Sequence, residues 1–324
     1  MMRALMLVCV LGGVAAADDK APAKDAVKAT TKDAKTAPVV EKSRVEVAPA
    51  GVPFKQLAIE NPLGDIRVEG HDGTAIMIET HKRAPDEDAL DRLRVSLVPN
   101  TDGTVRITTT ADRAEGSTVA RSAVAIDLVI RAPRGARVDA IVGTGKLDVT
   151  NMDGGGELES ASGQITVKNV QGELYPHSVS GRMSLTQVFG SLDASTVSSD
   201  LDIDSVQGEK LVASANQGKI AGRRVRARDI EMTTTHGHIF LEAEAALRGR
   251  VFVSSLRGDV DVKLRRVGAV LVRSRGTKID WGALSKSVQG MPNGWAQVAL
   301  GQGQDPALVE LRSQHGNVRF TFVQ

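Results

Sequence analysis

Between Gly145 and Gln217 apolar and polar positions recur in a fixed register. Units open at Gly145, Gly154, Gly163, Gly172, Gly181, Gly190 and Gly208, nine residues or a multiple of nine apart, and Ser199 takes the one missing place. Four of the units read GKLDVTNMD, GQITVKNVQ, GRMSLTQVF and SDLDIDSVQ. Their apolar residues stand two, four and seven places after the opening residue: Leu147/Val149/Met152, Ile165/Val167/Val170, Met183/Leu185/Val188 and Leu201/Ile203/Val206. The alternate units, such as Gly190 to Ser198, put smaller residues at the same places (Leu192, Ala194 and Val197), so the full repeat is eighteen residues in two unequal halves.

A short fixed period with glycine punctuation is the mark of a solenoid. The first five residues of each half alternate, as a half-buried strand does. Place seven faces inward again only if the chain turns a corner between places four and seven. Glycine at the unit boundary frees the backbone for the next corner. One half cannot bury its apolar side alone, so successive coils must stack at about the ordinary strand spacing of 4.8 Å. The pattern predicts an all-β chain: a single-domain β-solenoid with a coil of about eighteen residues and two short strands per coil.

The flanks carry looser versions of this pattern. Gly64-Asp65-Ile66-Arg67-Val68 has the form of the later repeats, and Ala75–Thr80 follows it across the turn His71-Asp72-Gly73. Pro85 to Leu93 is the one helical stretch, with acidic residues near its start. Restarts at Gly218, Gly237, Gly258 and Gly276 extend the coils toward Trp281. The Pro/Gly/Gln-rich run up to Pro306 reads as a surface loop or lid. Val309–Leu311 and Gly316–Phe322 read as a last coil, with Phe320 and Phe322 plugging the end of the core.

Composition changes the picture mainly at the start of the chain. Arg3 precedes an apolar run from Ala4 to Val14, then Ala15-Ala16-Ala17 and Asp18-Asp19. This predicts a secretory signal peptide over residues 1–17, since the run is too short to span a bilayer. Cys9, the only cysteine, lies inside it, so the remaining chain relies on no disulfide. Residues 18–43, rich in Ala, Lys, Asp and Thr, predict a flexible spacer that buries too little apolar surface to offset its ordering entropy. Residues 44–324 then form the solenoid domain, with irregular coils over 44–135, regular repeats over 136–282, and a loop and cap over 283–324. A net charge of +2 gives no electrostatic reason for a nucleic-acid partner.

The entry Ala58-Ile59-Glu60-Asn61-Pro62-Leu63-Gly64-Asp65-Ile66-Arg67-Val68 and the recurrent Ser-x-x-Gly-x-Ile-x-Val form carry a resemblance. Ser160–Val167 shows that form, and Ser254–Val262 has a longer variant of it. The chain resembles the bacterial adhesin family built on domain of unknown function 4097, the β-strand repeat proteins. The resemblance implies a secreted or envelope-associated β-solenoid and supplies no catalytic residue.

Candidate chemistry is sparse. Asp200, Asp202 and Asp204 alternate with Leu201 and Ile203, so their carboxylates leave one face, as an acid/base pair or a calcium site would require. Arg182 one coil earlier and Lys219 one coil later predict charge pairing across coils instead, and Asp259/Asp261 with Lys263 and Glu242/Glu244 follow the same argument. His236 and His238 flank Gly237 without a third metal ligand at suitable spacing. Gly143-Thr144-Gly145 and Gly154-Gly155-Gly156 lack the helix that a phosphate loop needs, which leaves them as corners. Six Phe, two Trp and one Tyr leave little for sugar stacking. Trp281 reads as core, and Trp295 as the best single partner contact or else a cap folded back on the solenoid.

The expectation is therefore an exported, non-enzymatic β-solenoid without cofactor or metal. It would serve as a structural or adhesin-like surface in the periplasm or cell envelope, meeting an envelope protein or a surface glycan. The alternative is a polysaccharide lyase or hydrolase of the parallel β-helix type. That alternative needs a cleft of charged residues, and only the 285–306 stretch is long enough to build one.

Overall fold

A computed structural model describes residues 38–49, 51–112 and 123–323. The predicted signal peptide (1–17) and residues 18–37 of the predicted spacer lie outside the described residues. The spacer's last residues do not: Val39–Val47 is a strand, paired antiparallel with Ile76–Ala84 from Val39 onward. The alternation in VVEKSRVEV suits an edge strand, and most of it stays exposed. The described residues belong to one unit, Ala37–Gln324.

The regular part stacks as parallel, in-register ladders on two sides. On the first side Gly156–Ser160 lies between Arg137–Val142 and Leu174–Ser178. The ladder continues through Leu192–Ser198 and the second halves of Leu201–Gln217 and Ile220–His236 to Arg250–Arg257. On the second side Leu147–Met152, Ile165–Gln171 and Met183–Phe189 lead through the first halves of the same long strands to Ile239–Ala245 and Val260–Arg266. From Leu147 through Ile165 and Met183 to Leu201 the coil advances by eighteen residues. It advances by nineteen to Ile220 and Ile239, and by twenty-one to Val260.

The predicted inward places are buried: Ile165, Val167, Met183, Leu185, Leu201 and Ile203 are all 0 % exposed. Burying each such side chain contributes roughly 1.5–3 kcal/mol. The corner before place seven is made at place six, where Asn151, Asn169, Gln187, Ser205 and Arg224 take φ of 58°, 55°, 56°, 60° and 51°. A left-handed non-glycine residue costs about 1–2 kcal/mol. Side-chain bonds along this column offset part of that cost, as Asn169 Nδ2 donates to Asn151 Oδ1 at 2.8 Å and Arg224 Nε to Ser205 Oγ at 2.9 Å.

The alternate halves depart from the predicted register. Their strands run straight to place six, so Ser160, Ser178 and Thr196 face inward and are buried, while Val197 at place seven is 41 % exposed. The hydroxyl makes this corner. Ser160 Oγ accepts from the Gly163 amide at 2.8 Å and donates to its carbonyl at 2.9 Å, and Ser178 treats Gly181 in the same way. A side chain on Gly163 would run into the carbonyl of Gly145 in the neighbouring coil, which fixes glycine there. Ser199, the exception in that column, donates to the Gly181 carbonyl at 2.6 Å.

Both ends are threaded out of sequence order. Gln56–Asn61 lies between Thr104–Ala111 and Arg137–Val142, and Ile66–His71 between Ala125–Pro133 and Leu147–Met152. At the far end Ala307–Ser313 inserts between Arg250–Arg257 and Val270–Arg275, and Val318–Val323 between Val260–Arg266 and Ile279–Asp280. The last coil in sequence is thus not the last in space. Antiparallel strands cover the outer edges: Leu93–Pro99 and Ile76–Ala84 at one end, Ala296–Leu300 with Gln289–Gly290 at the other. Such cover answers the open-edge problem of a β-solenoid. The predicted 290–306 loop therefore contains an edge strand. The predicted helix shrinks to Glu87–Leu90, where Asp86 Oδ1 accepts from the Ala89 amide at 2.7 Å.

The predicted plug is half right. Phe320 is 0 % exposed and meets Trp281 edge-on, with ring centroids 5.9 Å apart. Phe322 is only half-buried, and Arg266 lies 5.6 Å from its ring centre. Because Val318–Val323 is sandwiched, Phe320 fills the core between coils while Trp281 closes the coil beyond it. We expect Phe320→Ala to lose roughly 3–5 kcal/mol in denaturant unfolding and Phe322→Ala clearly less. Equal losses would place the true end cap at Phe322.

Candidate functional site

All the predicted acidic groups except Glu242 are engaged where they stand. Asp200 Oδ1 accepts from the Lys219 backbone amide at 2.9 Å. Asp202 takes the Arg182 guanidinium at 2.5 Å and also faces Arg223, while Asp204 pairs with Arg224. Arg182 therefore reaches one step beyond its equivalent, Asp200, and its hydrogen bond to Asp202 raises the guanidinium pKa. Glu244 meets Arg226 at 3.6 Å, and Asp261 meets Arg319 at 3.9 Å with its other oxygen buried and unpartnered. Asp259 caps a backbone amide, that of Asn317, at 2.8 Å. Glu242 stands in register with Lys263, whose ammonium lies 5.4 Å from the Phe240 ring centre.

His236 Nε2 lies 3.5 Å from Arg257, and His238 stands two residues on, across the Gly237 corner. Among the described residues no three His, Cys, Asp or Glu side chains converge as a metal site would need. Strands, not helices, follow the Gly143–Gly145 and Gly154–Gly156 corners. Trp295 is half-buried and packs under the Arg312 guanidinium, 5.6 Å from its ring centre. It is folded back on the solenoid, immediately before the edge strand Ala296–Leu300.

The arrangement with room for a ligand lies elsewhere, on the outward face of the first side. Register aligns one column from Glu159 through His177 and four consecutive hydroxyls, Ser195, Ser214, Thr233 and Ser254, to Arg312 and Arg275. His177 Nδ1 lies 2.8 Å from Ser195 Oγ. At the arginine end a groove of about 640 Å³ opens, with Thr233, Ser254, Thr277 and Gln314 along it and both arginines in its lining. The neighbouring outward column carries five carboxylates, Asp139, Glu157, Asp193, Glu231 and Glu310, interleaved with Tyr175, Val212 and Phe252 and ending at Arg273. A smaller groove of about 450 Å³ on the second side mixes Arg224, Arg226 and Lys263 with Glu242 and Glu244 around the exposed Phe189. Sequence reasoning missed the arginine pair because Arg275 and Arg312 become neighbours only through the inserted coil.

With the geometry in place, comparison with known proteins gives one firm result. The profile of the family "Toastrack DUF4097" matches residues 54–278 of the 324, and the chain belongs to that family. No curated protein matches it. Solved structures resemble it at low identity. One from Bacteroides fragilis, described as a "putative adhesin", is 13 % identical over 87 % of this chain and 97 % of its own, with a TM-score of 0.38. One from Parabacteroides distasonis, described as a "putative lipid binding protein", is 11 % identical over 86 % and 96 %, with a TM-score of 0.40. A "putative cell adhesion protein" from Clostridium sporogenes is 11 % identical over 88 % and 100 %, with a TM-score of 0.27.

The charge pairs on the second side make a direct comparison of outside and inside. Asp202→Ala is expected to lose at most about 1 kcal/mol, because the Arg182 pair is solvated. Its neighbour Ile203→Ala should lose about 2–5 kcal/mol. Chemical denaturation of the two variants decides this, and a larger loss at Asp202 would mean that this carboxylate holds more than Arg182.

Proposed function

We propose, on the premise of Toastrack membership, that this chain is an exported, non-enzymatic β-solenoid that serves as a structural or adhesin-like interaction surface in the cell envelope, periplasmic or extracellular. Its partner would be an envelope protein or a surface glycan. The organisation into a 1–17 signal peptide, an 18–43 spacer and a 44–324 solenoid domain belongs to the same proposal, with the strand Val39–Val47 carrying the sheet back into the spacer's last residues. The export reading rests on the leader-like sequence at the start of the chain. Among the described residues no helix is long and apolar enough to cross a membrane.

The observation that carries the non-enzymatic reading is the state of the polar side chains. Ladder register sets them in columns, and Asp200, Asp202, Asp204 and Asp259 are occupied by arginines or backbone amides across the coil. A lyase or hydrolase of the β-helix type needs carboxylates or bases converging on one point. The 285–306 stretch contributes one carboxylate, Asp305, and it pairs with Arg248 at 3.2 Å. That stretch also covers the sheet edge, rather than building a cleft.

The test is a screen of the purified chain on uronic-acid polymers, with and without calcium, followed by reducing-end and ultraviolet assays. No product above the level of a heat-denatured control is expected. Reproducible, protein-dependent turnover would overturn the reading.

A further inference from the structure

We infer that the groove at the Arg275/Arg312 end of the first side is a binding site for a carboxylate-bearing saccharide, a uronic-acid unit of a glycan chain. The inference deepens the interaction-surface reading above and rests on it for the site's role.

Arg275 and Arg312 are direct partners on adjacent strands and project from the same face. Neighbouring strands lie about 4.8 Å apart, and like charges so placed repel. On the second side arginines in comparable positions meet carboxylates, as Arg182 and Arg224 do. Among the described residues neither Arg275 nor Arg312 forms an ion pair. Arg312 is held from one side by the Trp295 ring, which orients its guanidinium without neutralising it. Two guanidinium forks without a carboxylate partner, both lining one groove, match a carboxylate, which accepts paired hydrogen bonds from such a fork.

The rest of the groove specifies the ligand further. Thr233, Ser254, Thr277 and Gln314 line it, offering neutral donors and acceptors of the kind that pair with sugar hydroxyls. Its volume, about 640 Å³, falls within the range of small-molecule sites. Hydroxyls continue along the column beyond Thr233 to Ser214 and Ser195, so a ligand could extend along the coil axis. Beside the hydroxyls, the adjacent column carries Asp139, Glu157, Asp193 and Glu231, which repel a dense polyanion lying along the coil axis and argue against a nucleic acid, while at the groove end Glu310 stands opposite Arg273. A glycan with at most one carboxylate per ring carries charge sparsely enough to lie there.

The experiment is isothermal titration of the purified chain with trigalacturonate, its methyl ester, inorganic sulfate and a short DNA duplex, with melting curves taken for every variant. Trigalacturonate is expected to bind at least about tenfold more tightly than the methyl ester or sulfate. The double variant Arg275→Gln/Arg312→Gln should weaken that binding at least about tenfold at unchanged melting, while Arg182→Gln on the other side leaves it intact. If the double variant melts early, Arg275→Lys/Arg312→Lys takes its place: it keeps the charge, loses the fork, and should still bind more weakly. Absence of trigalacturonate binding, equal binding of the ester, sulfate or duplex, or affinity unchanged in the folded variant would each overturn the site. Bound trigalacturonate that is also cleaved would overturn the non-enzymatic reading and leave this site standing. Failure to bind would remove the site and leave the interaction-surface reading intact.

Discussion

The whole molecule depends on one constraint: adjacent coils must present the same backbone at the same height, so that the parallel ladders close on both sides at once. The corner at the hydroxyl positions enforces it. Ser160 to Ile165, Thr234 to Ile239, Ser255 to Val260 and Ser313 to Val318 are equal separations, although the coils themselves grow from eighteen to twenty-one residues. A buried hydroxyl bonded to a glycine, with the next coil's backbone pressed against that glycine, leaves no room for an extra residue. The opposite corner absorbs the growth. Glu209 and Lys210 add one residue there, and Ala246 to Gly249 add more. A tight corner paired with a permissive one lets repeats drift in length while the apolar ladder stays in register.

The sequence disclosed this ladder well because both sides obey period two and the corner interrupts it at a fixed place. Place seven turning inward required a corner, and the left-handed residues at place six supply it. The same reasoning failed at Val197 because the alternate halves solve the corner differently. There a buried Ser or Thr ends the strand and the small apolar residue after it is turned outward. The clue was present in Ser160, Ser178 and Thr196, which recur at place six as steadily as the apolar residues do, but a hydroxyl reads as exposed until its glycine partner is seen.

The ends were illegible for a deeper reason. A strand of the form Val-x-Leu or Val-x-Phe fits against any neighbouring strand of similar form, so local pattern says which side chains face inward and nothing of which coil lies alongside. Placement of Ala307–Ser313 between two earlier coils depends on the route taken by residues 281–306, which fold back through two short 3₁₀ turns and an edge strand. Trp281 and Phe320 recognise one another across that insertion. The candidate site inherits the same illegibility, since Arg275 and Arg312 are remote in sequence order of coils and adjacent only in the finished stack.

The insertion also explains how the fold tolerates two like charges side by side. An exposed cross-strand pair of one sign destabilises by about 0.2–1 kcal/mol, and salt screens part of that. The strands beneath are anchored by Val272, Val309 and Leu311, each nearly or fully buried and each adding more than the repulsion removes. The arginines are therefore free of any structural duty to be paired. The backbone ladder fixes where both side chains leave the sheet, and the Trp295 ring also holds the Arg312 guanidinium. Binding there would still have to order the exposed Arg275 side chain, at a cost of up to about 2 kcal/mol. The same ladder that sets the aspartates of the second side against arginines across the coil leaves Arg275 and Arg312 side by side on the first.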